Sequence, residues 1–203
     1  MAQQYFITGI GTGIGKTITS AIITEKLKAD YWKPIQSGDL AQSDSMTIES
    51  LISNNQTVIH PETYRLTQPL SPHLSAKIDG IEIELNNFQL PKTENHLIVE
   101  GAGGLMVPLN DKALILDLVK YLKLEVIVVS QHYLGSINHT LLTINTLKQH
   151  NMSIRGIIFN GEENLESQSY ILNYSDIKHL GNIPTLRNID KLNVIEAGKN
   201  ITL

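Results

Sequence analysis

The chain has 203 residues, 41% of them hydrophobic, which suffices for one well-buried core and is short for two. A net charge of −4 and a pI near 6.0 give no basic footprint for nucleic acid or an anionic membrane, so neither is expected as a partner. The lack of cysteine removes disulfides, thiolate zinc sites and cysteine nucleophiles together. A single domain over 1–203 is expected. The start Met-Ala-Gln-Gln has neither the basic region nor the apolar core of a secretory signal, and runs such as Val126–Val129 are far below a membrane span, so the expected location is the cytoplasm.

Tyr5-Phe6-Ile7 predicts a short buried strand, and Ile18, Ile22, Ile23 and Leu27 recur at helical spacing. Between them runs Gly9-Ile10-Gly11-Thr12-Gly13-Ile14-Gly15-Lys16-Thr17. Glycines in such a turn let the backbone approach an anion, and the following helix turns its positive end to the same place. A polyphosphate is the expected ligand, with Lys16 reaching the outer phosphates and the Thr17 hydroxyl meeting a magnesium ion. Five residues separate Gly9 from Gly15 where the usual Walker A pattern has four, so the loop is a lengthened one. A dinucleotide fingerprint is excluded, because Lys16 or Ile14 falls where its third glycine belongs.

Tyr31-Trp32-Lys33-Pro34 reads as a second strand ending in a turn. Lys33 then sits at a strand's C-terminal end, where ligands collect in open α/β sheets, although a solvated lysine is the competing reading. Ser37-Gly38 continues the loop. Ser43 or Asp44 caps a loosely helical stretch through Met46, Ile48, Leu51 and Ile52, and Asp44 can also face magnesium. From Val58 to Pro91 the pattern is weakest. Ser71-Pro72-His73 leads into a short helix; Ile81, Ile83 and Leu85 alternate as an exposed strand would, but an irregular segment leading to another helix is the preferred reading.

The run His96–Val99 predicts an apolar strand that delivers Glu100 into Gly101-Ala102-Gly103-Gly104, the arrangement of a Walker B acid holding magnesium or its water shell. Ile115, Leu118, Val119 and Leu122 predict a helix, and Val126–Val129 a buried strand. Leu134-Gly135-Ser136-Ile137-Asn138 opens a further helix, whose N-terminus can receive a second anion. Ile154–Phe159 is a strand. Asn160 offers donor and acceptor groups to a purine edge, yet is equally an ordinary turn residue before Gly161. Glu166–Asn173 reads as helix and His179–Pro184 as a strand entering a loop. The seven histidines show no close pairing, and no zinc is expected. This alternation implies a three-layer α/β fold of P-loop NTPase type, a mainly parallel sheet with helices on both faces.

With these pieces placed, the chain resembles the dethiobiotin synthetases along nearly its whole length. The resemblance rests on the loop Gly9–Thr17, Lys33-Pro34-Ile35-Gln36-Ser37-Gly38, Ser43-Asp44, Ser71-Pro72-His73, Val99–Gly104, Leu134–His139 and Gly181-Asn182-Ile183-Pro184. It implies ATP-dependent carboxylation and ring closure of 7,8-diaminononanoate with carbon dioxide, through a carbamate and its phosphoric anhydride. It also implies the roles. Lys16 and Lys33 are catalytic, flanking the carbamate and the moving phosphoryl. Gly13, Ile14, Gly15, Lys16, Thr17, Glu100 and Gly103 hold the nucleotide, and Asn160 with Pro184, Thr185 and Leu186 holds adenine. Thr17, Asp44 and Glu100 bind Mg2+. Thr12 and Ser37 touch the diamine, and the Gly135, Ser136, Ile137 and Asn138 helix start takes its distal carboxylate. Members are homodimers with this region near the subunit interface.

Two departures stand out. Gly13 occupies a position where relatives often carry an acid, so any role of that carboxylate is missing or served otherwise, and the part after Pro184 is brief. The alternative is a nucleotide-dependent dimerising switch of the partitioning or septum-positioning type; those proteins carry a second lysine within the phosphate loop, and none precedes Gly15 here.

Overall fold

Apolar runs that alternate with helices force each strand to reach its parallel neighbour through a helical crossover. The computed structural model describes residues 2–203. Its strands are β1 (Gln4–Gly9), β2 (Asp30–Trp32), β3 (Ile35–Ser37), β4 (Ile59–His60), β5 (Tyr64–Leu66), β6 (Leu97–Glu100), β7 (Glu125–Gln131), β8 (Ile154–Asn160) and β9 (His179–Ile183). The helices are α1 (Lys16–Leu27), α2 (Asp44–Leu51), α3 (Pro72–Asp79), α4 (Ile115–Leu122), α5 (Ser136–Gln149), α6 (Leu165–Ser175) and α7 (Lys191–Gly198). Seven strands form one sheet in the order β4-β2-β6-β1-β7-β8-β9, with every pairing parallel. The expected three-layer α/β architecture is the one observed.

Period-two alternation in the central strands explains why they read as unbroken apolar runs. Phe6, Val99, Val126, Val128 and Phe159 enter the core under α4, α5 and α6, while Tyr5, Ile7, Ile98, Ile127 and Ile158 enter the core under α1, α2 and α7. Each such side chain, fully buried, stabilises by about 1.5–3 kcal/mol.

The chain leaves β1 through α1 toward β2 on one side and leaves β7 through α5 toward β8 on the other. Strands β1 and β7 are neighbours whose crossovers diverge. A crevice therefore opens above their C-terminal ends, the place where such sheets bind ligands.

Two expectations require correction. Ser37 ends a strand rather than continuing a loop: β3 pairs in parallel with β5 as a separate two-stranded sheet. The stretch after α3 is irregular as preferred, but it leads to a 3-10 turn over Leu85–Asn87 and then to β6, with no α-helix between. Beyond Pro184 the chain forms α7, whose Val194 and Ala197 are buried in the core beneath α1. Ser43 rather than Asp44 caps α2, its side chain accepting from the Met46 amide. No helix among the described residues is long and apolar enough to cross a membrane.

Candidate active site

Strand register brings the site together. Trp32 pairs with Val99, so the residues that follow, Lys33 and Glu100, meet at the sheet's C-terminal edge. Glu100 in turn pairs with Ile7 in β1, just below the start of the glycine loop. Lys33 Nζ donates to Glu100 Oε1 at 2.9 Å and forms a close ion pair with Asp44. The Thr17 hydroxyl stands between the same two acids, 3.0 Å from Asp44 Oδ1 and 3.0 Å from Glu100 Oε1. Tyr31 Oη donates to the remaining oxygen, Glu100 Oε2, at 3.0 Å. On the other side of the loop Lys16 folds back, its Nζ donating to the Gly11 carbonyl at 2.9 Å.

Burial makes these charges consequential. Lys16, Lys33 and Glu100 are 7%, 4% and 1% exposed. Desolvation pulls the Lys33 ammonium down, but Glu100 and Asp44 beside it more than compensate and its pKa ends raised. The Asp44 carboxyl is held low: burial works against ionisation, yet the Lys33 charge and hydrogen bonds from Lys33 and Thr17 prevail. Lys16 has no carboxylate in contact. Desolvation dominates there, offset in part by Glu100 and reinforced by Lys33, and its pKa drops to about 8.

The donor set suits a hard divalent cation. Thr17 Oγ1 carries one proton and can satisfy only one of the two carboxylates it faces, so three oxygens converge with a donor too few. No group of three or more His, Cys, Asp or Glu suited to a metal occurs among the described residues. The remaining positions would fall to phosphate oxygens and water, the arrangement magnesium favours.

A cavity of about 790 Å³ opens over this cluster, with Thr12, Lys16, Lys33, Ser37, Asp39 and Asp44 among the residues that line it. Ser37 Oγ is buried there with no hydrogen-bond partner among the described residues. A buried hydroxyl left unpaired costs about 1–3 kcal/mol, and this one belongs to a residue that borders the cavity.

A protein-family profile described as an AAA domain matches residues 3–193. The ATP-dependent dethiobiotin synthetase BioD of Christiangramia forsetii is 50% identical over 196 residues, covering 97% of this chain and 94% of its own. That of Brucella ovis is 41% identical, covering 93% and 89%. The chain belongs to the dethiobiotin synthetase family. Among solved structures it is similar to the septum site-determining protein MinD of Pyrococcus horikoshii, complexed with Mg-ADP, with a TM-score of 0.62, 15% identity, and coverage of 97% and 86%. MinD in the MinC:MinD complex of Aquifex aeolicus gives 0.58 at 14% identity, covering 100% and 98%. At such identity the likeness speaks to the fold alone.

Not every residue singled out in this dethiobiotin synthetase relative gathers at the cavity. Thr12, Gly13 and Gly103 line it. Ile14 is 4% exposed and packs into the core beneath α1, presenting only its backbone to the loop. Asn160 lies directly under that loop, its Nδ2 donating to the Ile14 carbonyl at 3.0 Å, which leaves its second N–H and its oxygen free for other partners. Gly15 has φ +91, and a Cβ there would collide with the Asn160 amide. Pro184 and Thr185 border a second cavity of about 780 Å³ together with Gly161 and Asn182, while Leu186 packs partly buried against the core beside α1.

The start of α5 stands apart. Gly135, Ser136, Ile137 and Asn138 do not line the main cavity. Ser136 is buried with its hydroxyl accepting from the Tyr133 amide at 3.3 Å, and Ile137 packs on the core, whereas Leu134 is fully exposed. The middle of α5 does come near: His139, Leu142 and Thr143 border a groove of about 370 Å³ that also touches Thr12.

Three residues at the site escape motif reading. Tyr31 supports Glu100 from the core. Gln36 donates to the Gly38 carbonyl at 3.0 Å and accepts from the Asp44 amide at 3.2 Å, tying the start of α2 to β3. Asp39 lines the cavity and makes no side-chain hydrogen bond or ion pair among the described residues. Gln36 stands within the run Lys33–Gly38 that carries the resemblance, though no role is read for it, and the only sequence signal for Asp39 is its place two residues after Ser37.

Proposed function

We propose that the chain, acting as a single domain in each subunit of a cytoplasmic homodimer, catalyses the ATP-dependent carboxylation and ring closure of 7,8-diaminononanoate with carbon dioxide, yielding dethiobiotin, ADP and phosphate. The observation that carries this reading is the meeting of two buried lysines, Lys16 and Lys33, in one cavity with an unpaired Ser37 hydroxyl, on a chain half identical to an ATP-dependent dethiobiotin synthetase. Hydrolysis alone needs no second cation on the substrate side.

In this reading one neutral amine attacks carbon dioxide, forming a C–N bond and losing a proton. A carbamate oxygen then attacks the γ-phosphorus and ADP leaves. The second amine, made neutral by losing its ammonium proton to solvent, attacks the carboxyl carbon and sheds one further proton as phosphate departs and the ureido ring closes. Lys33 exchanges its contacts with Asp44 and Glu100 for the carbamate, and Lys16 swings from the Gly11 carbonyl to the transferring phosphoryl, where fixed positive charge stabilises negative charge in flight. Thr12 and Ser37 orient the diamine, and the unpaired Asp39 carboxylate faces its remaining ammonium, supplying charge that Gly13 does not. Backbone amides of Gly13, Ile14 and Gly15 cradle the phosphates, Gly103 leaves them room, and Asn160 with Pro184, Thr185 and Leu186 holds the adenine. Thr17, Asp44 and Glu100 would hold Mg2+, which when bound neutralises charge between phosphate oxygens. Since the α5 start does not line the cavity of its own chain, Gly135–Asn138 of a second copy takes the substrate's carboxylate. The exposed Met106, Leu134 and Leu142 supply apolar surface for that contact.

Purified protein given the diamine, bicarbonate and Mg-ATP should form dethiobiotin with one ADP per turnover. ATP hydrolysis at the same rate with and without the diamine would instead favour the switch reading. A second test uses Lys16. Nucleotide phosphate raises its pKa on binding, so ADP affinity should be level near pH 7 and fall about tenfold per pH unit above pH 8. Calorimetric titrations from pH 7 to 9.5 check this, and Lys16→Gln should flatten the profile.

A further inference from the structure

One buried hydroxyl at the site has no part in the chemistry above. Tyr31 is fully buried in the core beneath α1 and does not line the cavity, yet its Oη donates to Glu100 Oε2 at 3.0 Å. Parallel pairing sets Tyr31 beside Ile98, two residues before Glu100, so the phenol reaches the carboxylate from below while the substrate side stays open. The other oxygen, Oε1, is shared by Lys33 and Thr17, which both face the cavity. Those two contacts lie on the cavity side. The Tyr31 contact is walled off from solvent.

We propose that Tyr31 is a positioning residue that holds the Glu100 carboxylate in one orientation, with Oε1 turned to Thr17 and the magnesium position. This rests on the assignment of Thr17, Asp44 and Glu100 as metal-holding residues. A carboxylate hydrogen-bonded from behind presents a fixed oxygen to a cation, whereas a free one rotates and must be ordered on binding.

The test is calorimetric ADP binding with EDTA and across a magnesium series, on the parent protein, Tyr31→Phe and Tyr5→Phe. The second variant is the control, because the Tyr5 hydroxyl is buried in the same core with no partner among the described residues. Tyr31→Phe should leave ADP affinity in EDTA within about twofold, yet raise the magnesium concentration for half-maximal tightening by about tenfold. Tyr5→Phe should match the parent in both. In a Glu100→Gln background, Tyr31→Phe should add nothing further. A parental magnesium response in Tyr31→Phe, an equal shift in Tyr5→Phe, or an undiminished effect without the Glu100 carboxylate would each overturn the inference. If magnesium fails to tighten ADP binding to the parent, the metal assignment falls first and this inference with it, a result visible before any substitution is made.

Discussion

Replacing Lys16 with alanine lowers kcat for dethiobiotin formation by about 10³-fold or more while leaving the fold intact. The lysine's single hydrogen bond, to the Gly11 carbonyl, belongs to a side chain 7% exposed, so at neutral pH its charge is carried largely uncompensated by contact. Alanine removes that burden, and stability at pH 7 should change by about 1 kcal/mol or less. The pH dependence separates this from a simple packing defect. With the folded pKa near 8 against 10.5 in the unfolded chain, the native state binds fewer protons between those values. Parent stability therefore rises with pH across that window, and in Lys16→Ala the rise disappears. Urea titrations at pH 7 and pH 10 read the second effect and a coupled product assay the first. Turnover within tenfold of the parent would contradict the role assigned to Lys16.

Lys33→Met should be damaging in a different way. It strands Glu100 and Asp44 beside each other in a buried site, with only the Thr17 proton and the Tyr31 hydroxyl left to serve them. Breaking a buried pair from one side costs about 3–5 kcal/mol, and kcat should fall by about 10²–10³-fold as well. In the parent, the raised Lys33 pKa contributes stability that is complete below pH 10.5 and is lost as pH climbs through the folded value. The depressed Asp44 pKa contributes stability that is complete above pH 3.8 and is lost as pH falls through its folded value. The contribution of this pair is thus level between those limits. Lys33→Met should be weakest near neutrality and recover as acid protonates the stranded carboxylates, or as added magnesium replaces the missing cation. Chemical denaturation across pH, with and without magnesium, measures this. A loss under about 1 kcal/mol at pH 7 would show that the pair is not the structural centre of the site.

The readable parts of the chain were those in which one local pattern decides the element. Buried strands β1, β6, β7 and β8 are apolar on both faces, and Gly15-Lys16-Thr17 opens α1 where its spacing predicted. Lys33 and Glu100 were legible because strand ends are legible. Strands β3 and β5 were not, since three residues each, flanked by Pro34 and Pro61, show no period before they find one another. Helix α7 was missed because its first residues Lys191 and Leu192 are exposed and only Val194, Ala197 and Gly198 mark its inner face. The hydroxyl contact of Tyr31 lies beyond any motif, since a buried tyrosine and a strand-end glutamate sixty-nine residues apart acquire meaning only through register.

The Asn160 amide under the glycine loop carries one more consequence. By gripping the Ile14 carbonyl where Gly15 has no side chain to obstruct it, β8 braces the loop in its folded shape before any phosphate arrives. Little conformational entropy is then left to lose on binding, and recognition proceeds onto a preorganised cradle. With the nucleotide bound as proposed, the same brace would couple the floor beneath the base to the amides around the phosphates, so a disturbance at Asn160 should be felt along the whole length of the nucleotide.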